Sequence, residues 1–416
     1  MRLLVLCPHF APDTAPTGTV MTRIVDELTK LGWEVDVVTS LPWYRRHAIE
    51  AGWTGRLRRR EGTSWGSITR LHPFPADKAN LVARAAAFIG FSAIAAVDAA
   101  SRRQRPDVIL VMSPPLTLGL SGWAAARRYG APFVLNLQDV FPSAAVAVGA
   151  ISNRGLIAAF EAVERFCYER AAVITVLSEE LAAGIERRSG ERPLTTPVEV
   201  IPNFADVDGI EPEPADNDYR ARNGLQGKRV VMYAGNVGHS QDFDLMLDAA
   251  ARLAGRDDIV FVINGEGVRR PSLEAATGHL RNVQFVDFQP IDRLSETLAA
   301  ADLHLVLLKP GLSEVSVPSK LYSVMAAGRP VVACVDAGSE IDRVVTEAAA
   351  GLSVGHDAAA LTAAITTIVD DRAVRERYGT NARTRMETWP TVAEVAGRYS
   401  SVLEGAARHH YDGFRR

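Results

Sequence analysis

Three cysteines in 416 residues are too few and too scattered for a disulfide framework. Cys7 and Cys334 lie in or at the end of apolar runs. With Cys167, they read as small buried hydrophobes rather than metal ligands. Glycine is not arranged as a dinucleotide-type triplet after the first strand-like run, so a nicotinamide or flavin fingerprint is missing there. The nearest thing to a long apolar run is residues 85–97, short of the roughly 20 residues a membrane span needs. Met1-Arg2 leads straight into Leu3-Leu4-Val5-Leu6, and Pro8-His9-Phe10 follows where a signal peptide would carry a small-residue cleavage site. The expectation is a cytoplasmic protein, with peripheral attachment at the inner face of the plasma membrane left open. A net charge of −3 argues against nucleic acid as the main partner.

What is present is a globular composition, 47% hydrophobic and 23% charged, in a chain too long for one ordinary core. The charge is uneven: the first half is net basic and the rest net acidic. Between residues 45 and 84 lie Arg45, Arg46, Arg56, Arg58, Arg59, Arg60, Arg70, Lys78 and Arg84, against only Glu50, Glu61 and Asp77. This cluster reads either as a seat for an anionic partner or as a solvated arginine-rich loop. The neighbouring 85–97 stretch reads as a core helix or as a helix lying in a membrane interface.

Strand-like runs at residues 2–7, 34–39, 107–112, 132–137, 172–177 and 198–201 alternate with helical patterns. A second series follows at 229–233, 259–264, 283–286, 302–308 and 330–335. Such alternation implies parallel sheets covered on both faces, so the fold class is α/β with two Rossmann-like halves. The proline-rich segment Glu211-Pro212-Glu213-Pro214 marks the join. The domains expected are 1–205, 206–388, and a helix over 389–416 packing back on the first.

Ligands of such sheets sit beyond the carboxyl ends of strands, so the strand-end loops are the candidate sites. Gly18 follows the first strand, in Pro16-Thr17-Gly18-Thr19, where a missing side chain would let backbone approach a ligand. Asp139 follows a buried run in Gln138-Asp139-Val140, as a site carboxylate or as a cap. Gly235-Asn236-Val237-Gly238-His239 is either a phosphate-cradling turn or a tight strand–helix connection. Gly265-Glu266-Gly267 places a carboxylate between two flexible residues, and Glu314 precedes the segment Val317-Pro318-Ser319-Lys320. That segment reads as a helix start closed by Gly328 and Pro330, with Ser319 able to cap a free amide. A cation in a first helical turn opposes the helix dipole, which makes sense if an anion such as a diphosphate shares the place; the plain alternative is a solvated lysine. Three acid–x–acid triplets, at 206–208, 216–218 and 242–244, lie in the linker or at a helix start, and no metal site is expected from them.

Taken in order, Thr17-Gly18, the segment 171–179, Val200-Ile201-Pro202-Asn203, Tyr233-Ala234-Gly235-Asn236-Val237-Gly238 and the 318–330 block resemble retaining glycosyltransferases of family 4. The resemblance spans nearly the whole chain. Gln138-Asp139-Val140-Phe141-Pro142 and the Gly235–Gly238 turn look most like the subgroup that builds colanic-acid, O-antigen and capsule repeats. It implies the GT-B architecture, two Rossmann-like parallel-sheet domains facing a central cleft. It further implies transfer of an N-acetylhexosamine or related hexose, with retention, from a UDP-type nucleotide-diphosphate sugar to a polyprenyl-diphosphate-linked acceptor, without a metal or other cofactor. By the same resemblance Asp139 and Glu314 are the catalytic candidates. Gly18, Gly235, Asn236, Gly238, His239, Glu266, Ser319 and Lys320 are the donor-binding ones. Arg56, Arg58, Arg59 and Arg60 would face the acceptor's diphosphate or an anionic membrane. Two departures stand out. The family's paired glutamates would fall at Val315 and Ser323, and its basic pair after the glycine turn would fall where His239 and Gln241 stand. A soluble acceptor, an epimerase on the same plan and a non-catalytic nucleotide-sugar-binding scaffold are the rival readings.

Overall fold

The structure, a computed structural model, describes residues 1–45, 48–76, 81–147, 149, 151–189, 192–315 and 317–414. Arg46, Asp77, Lys78 and Ser316 lie outside the described residues. The chain divides into two units, Met1–Asn203 with Val392–Arg416, and Phe204–Thr391.

The first unit is built on β1 (Arg2–Leu6), β2 (Glu34–Ser40), β3 (Arg58–Thr63), β4 (Gly66–Leu71), β5 (Val108–Ser113), β6 (Phe133–Leu137), β7 (Val173–Val176) and β8 (Val198–Val200). They form one sheet in the order β3-β4-β2-β1-β5-β6-β7-β8. Every pairing is parallel except β3 with β4. The central strands are buried on both faces, which is why Leu3 to Leu6 and Val108 to Met112 are unbroken apolar runs. The helix Val392–Phe414 packs on the helix Pro16–Lys30. Trp33 Nε1 donates to Ser400 Oγ at 2.9 Å, and Asn136 Nδ2 donates to Tyr399 OH at 2.7 Å, pinning that helix to the sheet.

The second unit carries β9 (Arg229–Ala234), β10 (Ile259–Asn264), β11 (Val283–Val286), β12 (Leu303–Leu307), β13 (Val331–Cys334) and β14 (Gly351–Val354). Their order is β11-β10-β9-β12-β13-β14, parallel throughout. Tyr233, Phe243 and Phe261 are fully buried in its core. In each sheet the chain runs outward one way from a central strand and then returns to start on its other side. The switch lies between β1 and β5 in one unit and between β9 and β12 in the other. A crevice opens at the carboxyl ends of strands at such a point.

Two expectations are corrected here. Within the arginine-rich region, Arg58, Arg59, Arg60 and Arg70 lie not in a loop but in the antiparallel hairpin β3–β4, with β4 parallel to β2. β3 alternates exposed and half-buried residues as a polar edge strand does, and β4 buries Ser67, Thr69 and Arg70. The apolar stretch read as 85–97 belongs to a 20-residue helix, Leu81–Ala100. Its segment Ala83–Ala100 is long and apolar enough, by length and composition, to cross a membrane, and about a third of it is buried. Phe91, Ser92, Ala95, Asp98 and Ala99 form the inward stripe, while Ile89 and Val97 point outward. Ser92 Oγ meets Thr117 Oγ1 at 2.7 Å, and Ser121 Oγ donates to Ser92 O at 2.7 Å, holding this helix against Leu118–Tyr129.

Candidate active site

In the second unit, the turn after β9 and the turn after β10 run side by side as an extension of the sheet. Gly235 N donates to Asn264 O at 3.0 Å, Val237 N to Glu266 O at 2.8 Å, and Arg269 N to Val237 O at 3.0 Å. This spacing explains Gly265 and Gly267. A Cβ at Gly265 would stand 2.0 Å from Gly235 O, and one at Gly267 would stand 2.2 Å from Val237 O. Asn236, Gly238, His239 and Glu266 are thereby brought together with Gly235, with Asn236, His239 and Glu266 exposed.

Lys320 joins them. Its Nζ would be 3.5 Å from a Cβ at Gly235, and it lies 3.8 Å from the centroid of the Tyr233 ring. It donates to the Tyr233 hydroxyl, which donates in turn to Asn236 O at 2.7 Å. Burial pushes the Lys320 ammonium down to about 7, and the buried Tyr233 hydroxyl well up. Among the described residues no carboxylate pairs with Lys320. Ser319 stands at the N-terminal boundary of the helix Lys320–Ala326 but makes no side-chain capping bond, contrary to expectation, because its own backbone is already helical.

The loop before that helix is held by Asp336, which accepts from Gly311 N and from Ser313 Oγ, both at 2.9 Å. Leu312 and Val315 are buried, and Glu314 between them is half-buried. His356 lies between Asp242 at 3.7 Å and Asp336 at 3.5 Å, a bridge that no motif announced. Of the acidic triplet at 242–244, Asp242 caps a helix through Leu245 N, and Asp244 pairs with Arg269 at 3.2 Å. Among the described residues, no group of three or more His, Cys, Asp or Glu is placed to hold a metal ion.

His239 titrates below its ordinary value, first through burial and then through the positive charges of Arg269 and Lys309. The cations that act on it are Arg269 and Lys309. The sequence reading missed both, because they lie on other loops. Lys309 N donates to Ser240 O at 2.9 Å.

Gly18 and Asp139 belong to the first unit. Gly18 lies in the first turn of Pro16–Lys30, where a Cβ would meet His9 Cβ at 2.7 Å; its missing side chain seats His9. His9 Nδ1 is 2.7 Å from Asp13 Oδ2, and the ring stacks on Trp43 with centroids 5.7 Å apart. Asp13 also accepts from Tyr44 N at 3.2 Å. Neither His9 nor Asp13 was picked out from sequence. Asp139 follows β6 and is half-buried, beside Gln138, which links Asn136 (2.9 Å) to Asn203 (3.1 Å).

The arginines on β3 have protein partners. Arg58 pairs with Asp98 at 2.7 Å, Arg59 with Glu61 at 3.3 Å while lying 4.3 Å over the Trp53 ring, and Arg60 reaches Ser67 Oγ at 3.3 Å. Arg56 is exposed. Arg70 is fully buried against Glu61 and the carbonyls of Phe10 and Ala11.

Residues 17–203 match the family described as glycosyl transferase 4-like domain, and residues 228–371 match glycosyl transferases group 1. A relative from Escherichia coli, WcaI, named for colanic acid biosynthesis glycosyl transfer, is 28% identical over 83% of this chain and 86% of its own. A GDP-mannose-dependent alpha-mannosyltransferase from Mycobacterium tuberculosis is 30% identical over 71% of this chain and 73% of its own. Among solved structures, Anabaena HepE in complex with UDP and glucose superposes with a TM-score of 0.70 at 16% identity, covering 97% of this chain and 100% of that one. With two sheets of this topology and matches on both units, the chain belongs to the glycosyltransferases and has the GT-B fold.

Proposed function

We propose that the protein moves an N-acetylhexosamine or related hexose from a nucleotide-diphosphate sugar, UDP-linked, to a polyprenyl-diphosphate-linked saccharide in cell-surface polysaccharide synthesis. The observation that carries the donor half is the Lys320 ammonium, poised over Gly235 on Tyr233 with no carboxylate partner among the described residues. A cation depressed to about 7 by burial regains its charge when an anion arrives. The leaving diphosphate is such an anion. As the anomeric C–O bond to the diphosphate breaks, charge develops on the phosphate oxygen, and Lys320, held on Tyr233 beside Gly235, is fixed in advance to stabilise it. The acceptor hydroxyl oxygen bonds to the anomeric carbon, and its proton passes to the departing diphosphate, with retention of configuration. Asp139 would orient the donor sugar or the acceptor hydroxyl, and Glu314 would contact the nucleotide sugar. No metal is needed for this charge stabilisation.

The colanic acid name of the Escherichia coli relative supports a polysaccharide acceptor; the UDP in HepE supports a uridine donor, and the Mycobacterium tuberculosis relative, named for GDP-mannose, makes guanosine the alternative base. Peripheral attachment at the inner face of the plasma membrane would use Arg56 to Arg60 and the outward Ile89 and Val97. A soluble acceptor is the second reading, and the internal partners of Arg58, Arg59 and Arg60 favour it. The test is a thermal-shift panel of UDP, GDP, ADP and their sugars, with and without magnesium, since a ligand of the folded state raises the midpoint. A rise with UDP and its sugars, independent of magnesium, is the expected result. A rise with GDP alone replaces the base, and no rise with any of them overturns the donor site.

A further inference from the structure

The Lys320 ammonium alone is a poor match for a diphosphate. Burial disfavours its charged form, and a diphosphate is multiply charged. The remaining charge has a structural source. β9 and β12 flank the switch point of the second sheet. The turn leaving β9 is clamped from two sides by backbone hydrogen bonds. Arg269, after β10, donates its amide to Val237 O at 3.0 Å, and Lys309, two residues past β12, donates its amide to Ser240 O at 2.9 Å. Val237 and Ser240 bracket Gly238 and His239, so two cationic residues are anchored on either side of one glycine turn, of which Asn236 and His239 are exposed. Both side chains are half-buried. Arg269 has a partner in Asp244 at 3.2 Å, whose side chain is 71% exposed, and among the described residues no carboxylate pairs with Lys309. An exposed pair of this kind is weak enough to exchange for a better anion. Partial burial first, and then the positive charges of Arg269 and Lys309, hold the His239 imidazole below its ordinary value, in keeping with both cations lying near this turn.

We infer that Arg269 and Lys309, together with Lys320, form a three-cornered cationic wall that holds the diphosphate of a nucleoside diphosphate on the Gly235–His239 turn. The inference rests on the donor reading above and adds the residues that set its phosphate affinity. Arg269 takes one phosphate through its planar fork, exchanging Asp244 for the ligand, and Lys309 supplies a point charge from the opposite loop.

The experiment is calorimetric titration of the full chain and of Arg269→Met, Lys309→Met and Asp244→Asn with UDP, UMP and uridine, at two salt concentrations. GDP, GMP and guanosine replace these if that base binds instead. Each of the first two variants is expected to lose about tenfold or more in diphosphate affinity while nucleoside affinity holds, the size of one charge-assisted hydrogen bond. Asp244→Asn frees Arg269 and is expected to tighten diphosphate binding, which a merely structural role for Arg269 would not produce. Circular dichroism melts verify that the variants are folded. If the native chain binds no nucleoside diphosphate, both this inference and the donor reading fall. If it binds and Arg269→Met and Lys309→Met bind UDP as tightly as the native chain does, or lose UDP and uridine equally, this inference alone falls.

Discussion

The ammonium of Lys320 rests on the ring of Tyr233, 3.8 Å from its centroid, and donates to the hydroxyl of the same residue. The lysine comes from the start of Lys320–Ala326 and the tyrosine from β9, so a single contact ties the helix to the glycine turn. Replacing Lys320 with Ala should therefore weaken nucleoside-diphosphate binding far more than nucleoside binding. Equal losses in a titration would remove the phosphate role.

The same residue sets a pH dependence. Its folded value, about 7, is depressed from the ordinary 10.5, so between these limits the unfolded chain holds more protons. Stability should rise with pH through that window, and the rise should flatten in Lys320→Met, as followed by urea melts at several pH values. Diphosphate affinity should run the other way and fall above pH 7, because the ligand prefers the protonated lysine. Proton uptake on binding would appear as buffer-dependent heats.

Gly265 and Gly267 let two turns lie against each other. Gly265→Ala would place a methyl 2.0 Å from Gly235 O, and the backbone must shift. A cost of about 1–3 kcal/mol in thermal or urea unfolding is expected, together with loss of nucleotide binding. Normal binding in a folded Gly265→Ala would uncouple the two turns.

In the first unit, Asp13 satisfies both His9 Nδ1 and Tyr44 N. Asp13→Ala should cost about 1–3 kcal/mol by removing the carboxylate partner of the buried His9 ring, while Asp13→Asn keeps one acceptor and should cost less. A melt that ranks the two variants the other way would reassign the contact.

Arg56, ahead of β3, and Arg58, on it, separate by their partners. Arg56→Glu should reduce sedimentation with anionic vesicles without altering the melting temperature. Arg58→Glu should also lower it, because Asp98, its partner, is buried. Unchanged sedimentation of a quadruple Arg56, Arg58, Arg59 and Arg60 reversal would leave these side chains with an intramolecular role only.

Most strands of both sheets could be read directly, because a parallel strand buried on both faces must be continuously apolar, as Leu3 to Leu6 and Val331 to Cys334 are. β14 was not read, and β3 and β4 escaped because their pairing buries Ser67, Thr69 and Arg70. Arginine on an edge strand looks, in sequence, like a solvated loop. The helix Leu81–Ala100 was read too short because Arg84 and Asp98 were taken as its limits, whereas both lie within it and Asp98 is tied to Arg58 and Arg102.

Lys320 and the Gly235–Gly238 turn were legible because their signal is local: a helix start and a glycine pair can be recognised within a few residues. The cationic role of Arg269 and Lys309 was not, since nothing near either residue refers to His239. By itself the amino-acid order determined two parallel α/β sheets and the strand-end loops, through periodicity and burial. Only tertiary structure decided which of those loops meet, because sheet order places β9 beside both β10 and β12 and so gathers onto one turn charges that lie far apart along the chain.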